Sequence, residues 1–378
     1  MSATAPPRLG RYEVIGEIGR GAMGVVYRAV DPMLGRTVAI KTINVTEFPE
    51  EASDYEARFF QEAKAAGGMS HLNVITIFDA GREGDFAYIA MELLEGEELR
   101  DWLERERIPV ATAIDIALQV VSGLAAVHAR GVIHRDVKPG NIMILPGQQA
   151  KLMDFGIARL PLADVRTKTG LLLGSPKYMS PEQVAASDID ARSDLFSLGA
   201  VLHEMLAGAP PFSGADMNQL MVAISMGAPT PPSRINPAVT PLLDLVVAKA
   251  LEKSREARYQ SAEEMAADLR ECARDLAEHT ARAAFDPKDT GGDVTALMHA
   301  APDVSPVLGT SAHGKGLARL ALSRDFESAA ALRRLAQEPA TASITPTILL
   351  SLLHDRERLA LGACLLAAVA TALAIAFL

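Results

Sequence analysis

Cysteine is scarce in this chain of 378 residues, which contains only two, Cys272 and Cys364. Two cysteines exclude a disulfide framework and a zinc site built from cysteines. Because Cys364 lies in an apolar segment far from Cys272, the pair favours a reduced, cytoplasmic setting. Basic residues are also outnumbered, with 37 Lys and Arg against 47 Asp and Glu. The net charge of −10 argues against nucleic acid as a partner, although a few local cations suffice to bind a nucleotide.

The N-terminus has no apolar run of the kind that forms a signal peptide. An uncharged apolar segment is present instead at Leu359–Leu378. As a helix, it would span about 30 Å, the thickness of a bilayer core. A buried core helix is the alternative, but such helices usually keep a polar edge. We therefore expect a transmembrane helix, and Arg356 and Arg358 before it place the N-terminal bulk in the cytoplasm.

The composition divides the chain into four segments. Residues 1–10 form a short tail that contains proline, and residues 11–275 have dense apolar periodicity. Residues 276–358 are rich in Ala, Asp, Pro, Gly, Ser and Thr, which is typical of a linker. The spacing of leucines within it predicts a juxtamembrane linker that is partly helical. Residues 359–378 are the predicted membrane helix.

A glycine motif lies near the start of the periodic region. It consists of Gly19, Gly21 and Gly24. A dinucleotide-binding fingerprint has the same spacing but needs a helix directly after it. Because β-branched residues follow here, we predict a hairpin whose bare backbone can approach phosphates. The next strand ends at Lys41, which in this pattern reaches the α- and β-phosphates of a nucleotide; an ordinary surface lysine is the alternative.

A predicted helix over residues 55–63 offers an ion partner for Lys41. Glu62 and Glu56 lie on opposite faces of this helix, and helical geometry alone does not choose between them.

Two further motifs follow in order, HRDVKPGN at residues 134–141 and DFG at 154–156. With the hairpin and Lys41, they make the chain resemble the eukaryotic-type (Hanks-type) protein kinases. The segment GSPKYMSPEQ looks particularly like bacterial serine/threonine kinases, which are often membrane-tethered. The resemblance implies an α+β, two-lobed protein kinase fold over about residues 11–275. Its β-rich N-lobe would be residues 11–91 and its helical C-lobe residues 97–275, with ATP between them.

The resemblance implies roles for the catalytic residues. Asp136 would accept the proton of the substrate hydroxyl, and Lys138 would contact the γ-phosphate. Asn141 and Asp154 would hold two Mg²⁺ ions, or Mn²⁺ in their place, because hard cations prefer oxygen ligands. The family pattern also selects Glu62 as the partner of Lys41.

The resemblance places the adenine against a hinge at residues 91–96. Met91 would stand beside the adenine pocket, and backbone groups of Glu92 and Leu94 would bind the adenine edge. The side chains of these last two residues are therefore not expected to be critical. The implied ATP-binding residues are Ile18, Gly19, Gly21, Gly24, Val26, Ala39, Lys41, Met91, Glu92 and Leu94.

Structural and regulatory residues also follow from the resemblance. Glu182 would form a buried ion pair with Arg258, and Asp194 would brace the catalytic loop. Ser175 replaces the threonine that usually contacts Asp136 and Lys138. Arg135 would pair with an activation-loop phosphate, and the implied autophosphorylation sites are Thr167 and Thr169.

The implied function is that of an ATP-dependent serine/threonine protein kinase acting on protein substrates. Phosphorylation between neighbouring chains implies a homodimer as a further partner. A small-molecule kinase is disfavoured by residues 174–182, which resemble a peptide-docking segment. A pseudokinase scaffold is disfavoured because the catalytic set is complete.

Overall fold

The computed structural model describes residues 7–21, 24–44, 57, 59–61, 63–64, 67–154 and 176–284. The N-terminal part is an antiparallel sheet of six strands in the order β1-β2-β3-β4-β6-β5. Its strands are β1 (Arg8–Leu9), β2 (Tyr12–Gly21), β3 (Gly24–Asp31), β4 (Arg36–Asn44), β5 (Ile77–Glu83) and β6 (Phe86–Glu92). Residues 57, 59–61 and 63–64, where the sequence predicts a helix, are helical.

The two faces of this sheet pack against different apolar clusters, as the period of two along a strand requires. Val38 and Ile40 of β4 point into a cluster that also contains Tyr12 and Tyr27. Ala39, between them, points to the other face and joins a cluster around Phe59, Ile89 and Met91. Lys41 shares the face of Ala39 because it is two residues further along β4. This second face therefore carries the residues predicted to meet the nucleotide.

Strand β1 lies within the predicted N-terminal tail. Leu9 is fully buried and pairs with Tyr12 across a tight turn. Gly10 adopts a φ of 57° in this turn, and a Cβ at that position would lie only 2.1 Å from the Tyr88 hydroxyl. The folded sheet thus begins before residue 11, because an apolar side chain near the terminus completes its outer cluster.

In the described residues after β6, the chain forms a short three-stranded sheet and seven helices. The small sheet contains β7 (Glu97–Glu98), β8 (Ile142–Leu145) and β9 (Gln149–Leu152). The helices are α1 (Leu99–Arg105), α2 (Val110–His128), α3 (Pro181–Val184), α4 (Ala191–Ala207), α5 (Met217–Met226), α6 (Pro241–Ala250) and α7 (Ala262–Ala284). Short 3₁₀ turns occupy Pro139–Asn141, Pro176–Tyr178 and Pro232–Arg234.

Helix α4 forms the centre of the C-lobe, and nearly all of its residues are buried. Asp190 caps its N-terminus by accepting a hydrogen bond from the backbone of Arg192, and Gly208 ends it with a φ of 78°. Helix α2 packs against both α4 and α7. The predicted α+β, two-lobed fold is thereby confirmed.

Within the described residues, helix α2 alone is long and apolar enough to cross a membrane, with a mean hydropathy of 1.9. Its apolar residues lie in the C-lobe core, so its composition reflects burial in the protein. Helix α7 runs on through residues 276–284, which the sequence analysis assigns to the linker. The predicted membrane helix and the rest of the predicted linker lie outside the described residues.

Candidate active site

The loop between α2 and β8 brings the polar side chains of Lys138 and Asn141 onto Asp136. Asp136 Oδ2 accepts hydrogen bonds from Lys138 Nζ at 2.7 Å and from Asn141 Nδ2 at 2.9 Å. Asn141 Nδ2 also donates to the backbone oxygen of Asp136 at 2.8 Å. The turn Pro139–Asn141 brings Asn141 back onto Asp136 in this way. The carboxylate is therefore fixed by a cation and an amide from its own loop.

The backbone of this loop is held by a buried carboxylate on helix α4. Arg135 has a φ of 68°, a conformation that non-glycine residues rarely adopt. Asp194 Oδ1 accepts from the Arg135 backbone N–H at 2.8 Å, and its Oδ2 accepts from the His134 backbone N–H at 2.8 Å. His128 Nε2 lies 2.7 Å from the same Oδ2. These charge-assisted bonds offset the cost of the left-handed residue, about 1–3 kcal/mol.

The ring of His134 connects the loop to the strand that precedes Asp154. Its Nε2 lies 2.9 Å from the backbone oxygen of Met153, and its Nδ1 accepts from the Asp136 backbone N–H at 3.3 Å. Complete burial lowers the pKa of His134, so the ring is neutral near pH 7. A neutral ring with its proton on Nε2 satisfies both contacts.

Asp154 joins the loop to the sheet of the N-lobe. Its Oδ1 accepts from Lys41 Nζ at 3.0 Å, and its own φ is 51°. Burial opposes ionisation of Asp154, but the charge and hydrogen bond of Lys41 and the charge of Lys138 outweigh it. The pKa of Asp154 therefore lies below its ordinary value, and the group is a carboxylate.

The glycine motif forms the predicted hairpin, whose second strand, β3, pairs with the strand of Lys41. Strands β2 and β3 pair with Gly21 opposite Gly24, and Gly19 lies opposite Val26. A Cβ on Gly24 would come within 1.7 Å of the Thr42 backbone oxygen, so only glycine fits there. A Cβ on Gly19 or Gly21 would meet nothing within 4 Å. The backbone of these two glycines is thus open to a ligand.

An apolar cluster lies on the face of the sheet that carries Lys41. Ala39 and Met91 are buried in it, and Val26, Leu94 and Met153 are partly buried against the same cluster. Ile18 is about half exposed, at 49%. All of these residues except Met153 belong to the predicted ATP-binding set, and Met153 is an addition that the sequence analysis did not name.

The side chain of Glu92 has a role that the sequence analysis does not assign to it. Its Oε1 accepts from Lys151 Nζ at 2.7 Å and from the Thr76 backbone N–H at 2.7 Å. Lys151 belongs to β9, so the ion pair ties the hinge to the small sheet. The sequence analysis does not include this contact, because Lys151 comes near Glu92 only through the tertiary fold.

Glu182 and Arg258 lie together in the C-lobe core. Arg258 Nη1 donates to Glu182 Oε1 at 2.7 Å, and Nη2 donates to Oε2 at 3.2 Å. Ser193 donates a further hydrogen bond to the same carboxylate. Burial opposes ionisation of Glu182, but Arg258 and Ser193 outweigh it and the pKa of Glu182 is lowered. This pair anchors the start of α3, next to the segment predicted to dock peptides.

Residues 12–269 match the family described as the protein kinase domain. The chain belongs to the protein kinase family. It is 41% identical over 274 residues to the serine/threonine-protein kinase PknB of Mycobacterium leprae, covering 70% of this chain and 44% of the relative. It is 38% identical over 317 residues to the serine/threonine-protein kinase pkn2 of Myxococcus xanthus, covering 82% of this chain and 37% of the relative. This chain therefore spans less than half the length of these relatives.

Solved structures agree with the fold of this kinase. The kinase domain of PknI from Mycobacterium tuberculosis matches with a TM-score of 0.57 and 26% sequence identity, and the match covers 70% of this chain and 97% of that one. The similarity is thus to a whole kinase domain.

The kinase structure brings together most of the residues predicted for the site. Lys41 and Asp154 are in contact, as are Asp136, Lys138 and Asn141. Other predicted residues lie outside the described part of the chain, and their roles stay predictions. They are Glu62, with its rival Glu56, and Thr167, Thr169 and Ser175.

The oxygen atoms near Asp136 fit a cation that arrives with a nucleotide. Over the described residues, no group of three or more His, Cys, Asp or Glu side chains could hold an ion alone. Asp154 offers a carboxylate, and the amide nitrogen of Asn141 is used by Asp136, which leaves its amide oxygen as the ligand atom. Mg²⁺ typically takes one or two protein oxygens and completes its shell with phosphates and water. This donor set suits that mode.

Proposed function

We propose that this protein is an ATP-dependent serine/threonine protein kinase that transfers the γ-phosphate to hydroxyl groups of protein substrates. One observation carries the proposal: Asp136, Lys138 and Asn141 are fixed in one cluster, and Lys41 reaches Asp154 across the cleft beside it. The named relatives, which are serine/threonine-protein kinases, support the same activity.

The residues of the cleft would divide the work of phosphoryl transfer. Asp136 would orient the substrate hydroxyl and accept its proton, while Lys138 and Lys41 would neutralise phosphate charge. Asn141 and Asp154 would hold Mg²⁺, which when bound supplies positive charge between the phosphate oxygens. Such catalysis consists almost entirely of positioning and charge stabilisation, which suits the network of hydrogen bonds around Asp136.

Replacing the proposed base tests this function. We expect Asp136→Asn to retain ATP affinity and to lower kcat about 10²–10⁴-fold, because the amide cannot accept the proton. Lys41→Ala is expected to inactivate as well. Transfer of labelled phosphate to a basic protein measures turnover, with the exposed Asp188→Asn as control.

Near wild-type turnover of Asp136→Asn would contradict the role of Asp136 as the base. An inactive wild type with intact ATP binding would indicate a pseudokinase scaffold. Transfer to small molecules alone would indicate a small-molecule kinase.

We further propose that phosphorylation of Thr167 or Thr169 activates the enzyme. A phosphate adds about −2 charge and three acceptor oxygens, which the guanidinium of Arg135 can pair with. Arg135 supports this proposal because its backbone is fixed beside the catalytic base.

The double variant Thr167→Ala, Thr169→Ala tests this switch. We expect its activity to fall several-fold while its ATP affinity stays nearly constant. Mass spectrometry should find phosphate on one or both threonines of the wild type and none on Asp136→Asn. Full activity of the double variant, together with unmodified threonines in the active enzyme, would refute the switch.

Membrane attachment through residues 359–378 is a third proposal, supported by the absence of charge in that segment. Anchoring would raise the local concentration of neighbouring chains and favour phosphorylation within a homodimer. Deleting Leu359–Leu378 should move the kinase from the membrane fraction to the soluble fraction. If the truncated chain still sediments with membranes after a high-salt wash, this segment is not the anchor.

A further inference from the structure

We propose that Gln183 is a positioning residue that holds the peptide bond in front of Asp136. The proposal rests on the kinase activity proposed above and assigns to it a residue outside the predicted catalytic set. Gln183 lies in α3, directly after Glu182. Its Nε2 donates a hydrogen bond to the backbone oxygen of Arg135 at 2.8 Å.

The peptide bond between Arg135 and Asp136 is thereby held at both of its polar ends. Gln183 holds its oxygen, and the ring Nδ1 of His134 accepts from its N–H at 3.3 Å. The preceding N–H, that of Arg135, is held by Asp194 at 2.8 Å. Rotation of this peptide plane would change the ψ of Arg135 and the φ of Asp136, and it would turn Asp136 away from its cluster. Gln183 opposes that rotation because it holds the oxygen of the plane.

The same side chain also caps its own helix. Gln183 Oε1 accepts from the Ser180 backbone N–H at 2.9 Å, and the Ser180 hydroxyl accepts from the Gln183 backbone N–H at 3.4 Å. This is a capping box, in which glutamate and glutamine are interchangeable. The contact to Arg135 is different, because it needs a donor, which glutamine has and an ionised glutamate lacks.

The two ends of the amide therefore connect two functional segments. Ser180 lies two residues after the turn Pro176–Tyr178, and both belong to the segment predicted to dock peptides. Arg135 directly precedes the proposed base. A shift of the docking segment would therefore reach Asp136 through the two contacts of this side chain.

Gln183→Glu separates the capping contact from the positioning contact. The carboxylate keeps the acceptor for Ser180 but loses the donor for Arg135, so the variant should melt within a few degrees of the wild type. We expect kcat to fall about tenfold at neutral pH, with KM for ATP and for a peptide nearly constant. Gln219→Glu is the matched control, because Gln219 Oε1 likewise accepts a backbone N–H at the start of α5. Its kcat should equal that of the wild type.

The pH profile supplies a readout that a purely structural role would not change. Protonation gives the carboxyl of Gln183→Glu a hydroxyl that can donate to the Arg135 oxygen. The ratio of variant to wild-type kcat should therefore rise as the pH is lowered. A ratio is used because it cancels the losses of activity at low pH that both enzymes share. The ratio for Gln219→Glu should stay constant.

An uncharged variant guards against effects of the added charge. Gln183→Met removes both contacts at nearly constant volume, so it should lower kcat to a similar extent and also lower the melting temperature. Wild-type kcat in folded Gln183→Glu or Gln183→Met, or a ratio independent of pH, would overturn the proposal. Each of these tests compares a variant with an active wild type. If the wild type itself were inactive, the result would refute the proposed kinase activity and not the role of Gln183.

Discussion

The carboxylate of Asp194, on helix α4, is buried away from water. It accepts hydrogen bonds from two consecutive backbone N–H groups and lies within hydrogen-bonding distance of a histidine ring. The helix that carries it is packed on nearly all sides, so its position is set by the C-lobe core. Arg135 can keep its left-handed conformation only while these bonds persist. The direction of Asp136, and with it the cluster of Lys138 and Asn141, depends on that backbone.

Under the proposed function, the site would let an acidic protein bind a highly charged nucleotide. The chain has a net charge of −10, yet two lysines lie at the centre of the site, each paired with an aspartate. Lys41 approaches from the sheet and Lys138 from the loop below. Attraction between phosphate and nearby lysines outweighs repulsion by distant acidic residues, because salt screens charge interactions beyond about 8–10 Å. Under the proposed function, the local arrangement of charges rather than the net charge would therefore control phosphate binding.

Sequence motifs predicted the parts of this site whose members are close in sequence. The hairpin, the residues from His134 to Asn141 and the aspartate at 154 follow from spacing and from resemblance to kinases. The contacts of Glu92 and Gln183 could not be predicted in that way, because their partners Lys151 and Arg135 come near only in the folded chain. A capping pattern does mark Gln183 as a helix residue, but the same pattern does not reveal its second contact.

The boundaries of the folded region show the same limit. The sequence analysis places Leu9 in a short tail that contains proline, yet Leu9 fills the outer cluster of the sheet. The sequence pattern shows the spacing of polar and apolar residues. The boundary of the folded region depends instead on which residues bury the remaining apolar surface of the sheet.

The kinetics and stability of Asp194→Asn test the central claim most directly. An asparagine has one acceptor oxygen, so one backbone N–H of the loop would face its NH₂ group and lose its partner. We predict a loss of about 1.5–3 kcal/mol in the free energy of unfolding and a fall in kcat of at least about tenfold. ATP affinity should be nearly constant, and Asp115→Asn on the exposed face of α2 should match the wild type. A folded Asp194→Asn with wild-type kcat would contradict the claim that this carboxylate sets the direction of Asp136.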